Sequence, residues 1–171
     1  GVWRSTARGN AHALRQWASG RPCVVAGSTW PAEEEALAAW WPGNGVALVV
    51  APHEVDGAHV EAVERRFRER GAAVHRFSAG PPPAGGVILV DGIGWLSRLY
   101  AVADLAVVGG GFGKGIHNVL EPAAHGVPTL VGPHVGRFRE AEELAALGAL
   151  RHVARPGDLP GAVSGWLSDA S

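Results

Sequence analysis

The sequence predicts a single α/β domain built on a doubly wound parallel sheet. Three observations carry this reading. Short apolar runs alternate with helical patterns along the whole chain. The runs, at 46–51 and 105–108 for example, are continuously apolar rather than alternating, as strands buried on both faces are. No repeat and no dividing linker interrupts the series, and 171 residues of 47% hydrophobic composition suit one core.

Residues 6–19 read as a helix with Leu14 and Trp17 as core contacts. Pro22-Cys23-Val24-Val25-Ala26 is a short buried strand, and Gly27-Ser28-Thr29-Trp30 a turn. Pro31 pre-sets the first helical residue and biases Trp30 away from helix. Leu37, Trp40 and Trp41 then fall on one helical face. The strand at 46–51 leads to an amphipathic helix at 57–70, with Val60, Val63 and Phe67 on its apolar side. A strand at 72–77, a proline-rich loop at 78–86 and a strand at 87–90 follow. A helix at 95–102, a strand at 105–108, a short helix at about 118–125 and a strand at 129–131 come next. A helix at 137–147, a strand at 150–153 and a helix at 158–168 complete the series. In such sheets ligands sit beyond the carboxyl ends of the strands. The loops at 27–30, 52–56, 91–95 and 109–118 are therefore predicted to gather along one rim.

Composition excludes several classes. A net charge of −1 gives no general nucleic-acid surface. The single cysteine, Cys23, cannot form an internal disulfide; it reads as a small core residue in a reducing compartment. No apolar stretch nears the roughly 18–20 residues of a membrane span, and no signal-peptide pattern opens the chain. His12, His59, His75, His125, His134 and His152 show no metal-site spacing, so no metal is expected. No G-x-S-x-G elbow appears, which disfavours serine hydrolysis. The chain contains no methionine and begins Gly1-Val2-Trp3-Arg4. It is expected to be a piece of a longer protein.

The segment 107–122, V-V-G-G-G-F-G-K-G-I-H-N-V-L-E-P, is the densest motif. It has neither the dinucleotide nor the Walker glycine spacing. Its glycines, Gly111 and Gly113 among them, allow backbone N–H groups to approach an anion. Lys114 and His117 add positive or donor groups. Pro122 fits only near a first turn, so a helix is expected to start near Asn118 with its positive end facing the loop. Asn118 and Glu121 stand in capping-box positions. They either cap the helix or serve a ligand, Glu121 by accepting from a ribose diol.

Three weaker turns accompany it. Gly27-Ser28-Thr29 can hold a phosphate or carboxylate, or simply cap a helix. Glu33, Glu34 and Glu35 suit the positive end of that helix but would compete with an anion if aimed at it. Asp91-Gly92-Ile93-Gly94-Trp95 can read a base edge through its main chain, or be a plain turn. His53, in Pro52-His53-Glu54, can donate to an anion, or be a surface histidine.

Taken in order, A-G-S-T-W-P at 26–31, V-A-P-H-E-V at 50–55, D-G-I-G-W-L at 91–96 and the block from Gly109 to His134 resemble the Kdo (3-deoxy-D-manno-octulosonic acid) transferases of Gram-negative lipopolysaccharide synthesis. The resemblance covers nearly the whole chain and corresponds to the C-terminal half of that family. It implies one of two Rossmann-like domains in a GT-B glycosyltransferase. It further implies that this domain binds CMP-Kdo, while a missing N-terminal domain binds the lipid A precursor and supplies the catalytic carboxylate. By resemblance Pro52 and His53 fall on a Pro-Arg pair, and Ile93, Gly94 and Trp95 on the base-reading turn. Asn118, Val119, Leu120 and Glu121 fall on an Asn-x-Leu-Glu element in which Asn118 meets the phosphate and Glu121 the ribose. Ser28 and Thr29 look like the loop facing the Kdo moiety. The family further implies a metal-independent inverting transfer at the cytoplasmic face of the bacterial inner membrane, this domain itself being soluble. As a fragment it is expected to bind CMP weakly and turn over nothing. The alternatives are another GT-B transferase or an epimerase using UDP, and a non-catalytic nucleotide-binding domain.

Overall fold

The computed structural model describes residues 7–41, 45–113, 115–116, 118–134 and 139–169. Lys114, His117 and the predicted helical positions 6, 137 and 138 lie outside them. Seven strands form one sheet in the order β3-β4-β2-β1-β5-β6-β7, and every neighbouring pair is parallel. In chain order these are β1 (Cys23–Thr29), β2 (Ala47–Pro52), β3 (Val74–Arg76), β4 (Val87–Leu89), β5 (Leu105–Val108), β6 (Thr129–Val131) and β7 (Leu150–His152). The helices are α1 (Ala7–Ala18), α2 (Pro31–Trp40), α3 (Gly57–Glu69), α4 (Leu96–Tyr100), α5 (Leu120–Ala124), α6 (Arg139–Ala146) and α7 (Leu159–Asp169).

The strand residues divide between two cores by parity, because successive side chains point to opposite faces. Val24, Ala26, Leu48, Val50, Leu105 and Val107 pack with Leu37 and Trp41 from α2, Val63 and Phe67 from α3, and Val163 from α7. Cys23, Val25, Val49, Ile88 and Ala106 pack with Leu14 and Trp17 from α1 and Leu99 and Tyr100 from α4. Helices thus cover both faces, and the continuous apolar runs have their physical explanation. Cys23 is buried, and that burial, reinforced by nearby Asp104, pushes its thiol up to about 12.

Several boundaries differ from the sequence reading. β1 does not stop at Ala26; it runs through the predicted turn to Thr29, and every residue in it is buried. Thr29 is satisfied inside, its hydroxyl reaching a Glu34 carboxylate oxygen at 3.4 Å. The predicted strand at 72–77 is only Val74–Arg76, followed by a 3-10 turn at Phe77–Ala79. The last helix starts one residue later than expected, after a 3-10 turn at Pro156–Asp158. The helix expected near Asn118 begins at Leu120. Asn118 sits before it, and its side-chain oxygen accepts the Leu120 N–H at 2.8 Å.

The chain builds β1, β2, β3 and β4 towards one edge, then crosses back to build β5, β6 and β7 towards the other. The switch point lies between β1 and β5, where Gly27 pairs with Val108. Among the described residues no helix is long and apolar enough to cross a membrane.

Candidate functional site

At the carboxyl ends of β1, β2 and β4 the chain leaves a cavity of about 370 Å³. Each wall comes from a different element. β1 contributes Ser28, the end of β2 contributes Ala51, Pro52 and His53, and α5 contributes Glu121. Val90 and the turn and helix start from Gly92 to Ser97 complete it.

Ser28 owes its place to an irregularity in β1. The β1–β2 register shifts between Gly27 and Thr29, and Ser28 has φ 51°. A non-glycine residue with positive φ is uncommon and is found most often where function or tight geometry demands it. The bulge sets Ser28 on the cavity while Thr29 turns inward. His53 is fixed by its neighbours: its N–H donates to the Thr29 carbonyl at 2.9 Å, and its ring stacks on Trp30 at 4.6 Å between centroids and 21° between planes. Trp30 thus holds the imidazole flat at the rim.

The turn after β4 is pinned from outside. The Asp91 carboxylate accepts the Ser78 N–H at 3.0 Å and also the Ser78 hydroxyl. Trp95 meets Phe77 edge-on at 4.9 Å and 62°, and the Arg98 guanidinium lies 5.4 Å from its ring centroid. Such a cation–π contact stabilises the ring where it stands. Ile93 projects into solvent at the cavity edge, 81% exposed.

Glu121 occupies the first turn of α5, half-buried. No hydrogen bond or ion pair joins it to another described residue. The Tyr100 phenol is pushed up, first by its own burial and then by the Glu121 charge. Among the described residues, none competes with a ligand for the Glu121 carboxylate. No lysine or arginine lines the cavity among the described residues. The hollow offers one carboxylate, one imidazole, two hydroxyls, the main chain of a glycine-containing turn and an apolar edge. That donor and acceptor set suits a small polar ligand with a diol and a planar ring.

The structure brings together Ser28, Pro52, His53, Ile93, Gly94, Trp95 and Glu121. It does not bring Thr29, Gly111, Gly113, Asn118, Val119 or Leu120 to this lining. Gly111 is buried with its backbone against Gly132, and its carbonyl accepts the His134 N–H at 2.8 Å. Gly113 borders a smaller hollow of about 180 Å³, with Trp30, Glu33, Gly110 and Phe112. Val119 is buried, and Leu120 is 51% exposed. Sequence reasoning missed Ala51, Val90, Leu96 and Ser97 in the lining, and Trp30, Phe77 and Arg98 as supports. Adjacency to the P-H-E and D-G-I-G-W turns was the available signal for the lining; Phe77 comes from a separate segment and carries none.

The glycine loop after β5 is explained mainly by close packing. A Cβ on Gly109 would run into the Ser28 carbonyl, and one on Gly110 into the Gly115 carbonyl. Gly110 also has φ 98°, which side-chain-bearing residues rarely adopt. The loop closes on itself through Gly115 N–H to the Gly110 carbonyl at 2.8 Å.

A doubly wound parallel sheet with a hollow at the carboxyl ends of its strands makes this a Rossmann-like domain of the class that binds small ligands there. The comparisons narrow this class. No family model matches the chain. A 3-deoxy-D-manno-octulosonic acid transferase of Bordetella pertussis is 34% identical over 149 residues, covering 78% of this chain and 34% of that protein. One of Chlamydophila psittaci is 52% identical over 65 residues, 36% of this chain and 15% of its own length. Among solved structures, the C-terminal CMP-Kdo binding domain of WaaA from Acinetobacter baumannii superposes with a TM-score of 0.78 at 27% identity, covering 93% of this chain and 86% of that one. The chain belongs with the 3-deoxy-D-manno-octulosonic acid transferases and matches their C-terminal domain. It spans about a third or less of the length of these curated relatives.

Proposed function

We propose that this domain holds the CMP-Kdo donor of a transferase that moves Kdo, with inversion, to a lipid A precursor. The observation that carries the reading is the convergence of Ser28, His53, the Gly92–Trp95 main chain and Glu121 on one hollow. In this reading the turn after β4 meets the cytosine edge and Glu121 accepts from the ribose diol. In the same reading Ser28 and His53 face the phosphate and the Kdo carboxylate, and Lys114, His117 and the Asn118 amide are proposed as further donors to those negative groups.

The chemistry is economical. As the glycosidic bond to the phosphate breaks, the departing CMP gains negative charge. Donors fixed at that phosphate stabilise the transition state more than the ground state, which is what accelerates the step. One phosphodiester and one carboxylate can be met by N–H donors, imidazoles and a lysine, so the transfer is proposed to need no metal. The acceptor hydroxyl needs a general base. That base is assigned to an N-terminal domain of the parent protein, which also binds the acceptor at the cytoplasmic face of the inner membrane.

The test is calorimetric titration of the chain with CMP, UMP and AMP, with magnesium and with chelator. The reading expects saturable binding that prefers CMP, is indifferent to chelator and is lost in Glu121→Ala while the melting temperature barely moves. A preference for uridine nucleotides would transfer the domain to a UDP-dependent enzyme. Equal binding of all three, unchanged in Glu121→Ala, would refute the site.

A further inference from the structure

The first turn of α2 holds a carboxylate that the sequence assigns only to a helix end. Glu33 is 1% exposed. One of its oxygens accepts the Trp30 N–H at 2.9 Å, at the start of its own helix. The other crosses the switch point and accepts the Gly110 N–H at 2.9 Å. Trp30 follows β1 and Gly110 follows β5, so a single carboxylate ties together the two loops that flank the crevice. No ion pair among the described residues includes Glu33. Burial raises its carboxyl; against that, the N–H groups of Trp30, Gly110 and Glu33 itself, with the positive end of α2, favour the charged form.

Both tied segments carry parts of the cavity. Trp30 is the surface on which His53 stacks. Gly110 opens the loop that leads through Ile116 to Asn118 and Glu121. The seat that a glycine loop would offer an anion is occupied from within. We propose that Glu33 is a positioning residue: it fills the anion seat at Gly110 and so fixes the loop that presents Glu121 to the ribose of the ligand. This rests on the reading of the cavity as a cytidine-nucleotide site. The bound phosphate is then met elsewhere on the rim, and the Gly110 N–H remains with Glu33.

The test uses Glu33→Gln in the whole 171-residue chain. Glutamine keeps the size but presents one oxygen and one NH₂ group to two N–H donors, so one of the two bonds is lost. CMP affinity is expected to fall on the order of tenfold, the worth of one charge-assisted hydrogen bond. The preference for CMP over 2′-deoxy-CMP is expected to shrink with it, because Glu121 is no longer held against the diol. A general loss of stability would weaken both ligands equally and leave that ratio alone. A folded Glu33→Gln chain with wild-type affinity and wild-type ratio overturns the proposal. A second measurement needs no variant: the Gly110 amide of the wild-type chain should exchange slowly and stay unshifted when CMP is added. Fast exchange, or a large shift on CMP addition, overturns the proposal even if Glu33→Gln does not fold. A wild-type chain that does not bind CMP at all overturns the functional reading and this role together. Binding with an indifferent Glu33→Gln overturns this role alone.

Discussion

The loop after β5 and the turn after β4 make opposite use of glycine. Between Gly109 and Gly115 the chain spends five glycines. The structure accounts for Gly109, Gly110 and Gly111 by backbone packed against backbone. Between Asp91 and Trp95 there are only Gly92 and Gly94, and a Cβ on Gly94 would meet nothing within 4 Å. Yet it is this sparser turn that lines the large cavity. Dense glycine marks where strands and loops come closest. The proposed site lies where a few side chains converge beside that packing, and Glu121 and His53 do so without any glycine of their own.

The strongest way to break this contrast is to add a methyl group to each loop. Gly109→Ala drives a Cβ into the Ser28 carbonyl and should cost ~3 kcal/mol. Gly92→Ala, whose Cβ meets only ordinary contact with Trp95, should stay within about 0.5 kcal/mol. Urea unfolding of both variants measures the pair, and equal costs would dissolve the distinction. The turn after β4 is sharpened by Trp95→Leu. This removes the ring braced by Phe77 and Arg98, and should weaken CMP and UMP alike by on the order of tenfold, as loss of a stacking surface does. A change in the CMP to UMP ratio would instead give the indole a role in base identity.

The smallest effect lies in the first turn of α2. Glu34 is buried against the His59 imidazole at 2.9 Å, and desolvation raises its carboxyl above the ordinary value despite that partner. A carboxyl raised in the folded state holds its proton longer folded than unfolded. Its contribution is complete below the unfolded value and is lost as pH rises through the folded one. The stability of wild type relative to Glu34→Gln should therefore decline as pH rises from about 4, where free glutamate titrates. Urea midpoints at several pH values read this directly, and a difference that grows with pH would reverse the sign.

Most of the fold was legible because its signal is local. Continuous apolar runs, Pro31 at a helix start and the apolar stripe of Val60, Val63 and Phe67 each speak for their own segment. The boundaries that moved depend on distant groups. β1 runs on to Thr29 because β2 pairs with it and Glu34 takes its hydroxyl. The short helix starts late because Asn118 spends its side chain on the Leu120 N–H from outside. Cavity residues were legible where a motif pointed at them: Ser28, His53, Ile93 and Glu121. The supports were not. Trp30 beneath His53, Phe77 against Trp95 and Glu33 across to Gly110 are contacts between segments, and a single sequence carries no pairing information for them.

The central claim is that a cytidine nucleotide occupies the hollow of Ser28, His53, Trp95 and Glu121 and leaves the packed glycines untouched. A backbone amide map of the chain titrated with CMP tests it most directly. The account predicts that the largest shifts fall on Ser28, His53, residues 92–97 and Glu121, with Gly109, Gly110 and Gly111 nearly still. Shifts centred on Gly109–Gly111 and absent from residues 92–97 would contradict it and return the glycine loop to the role of anion cradle.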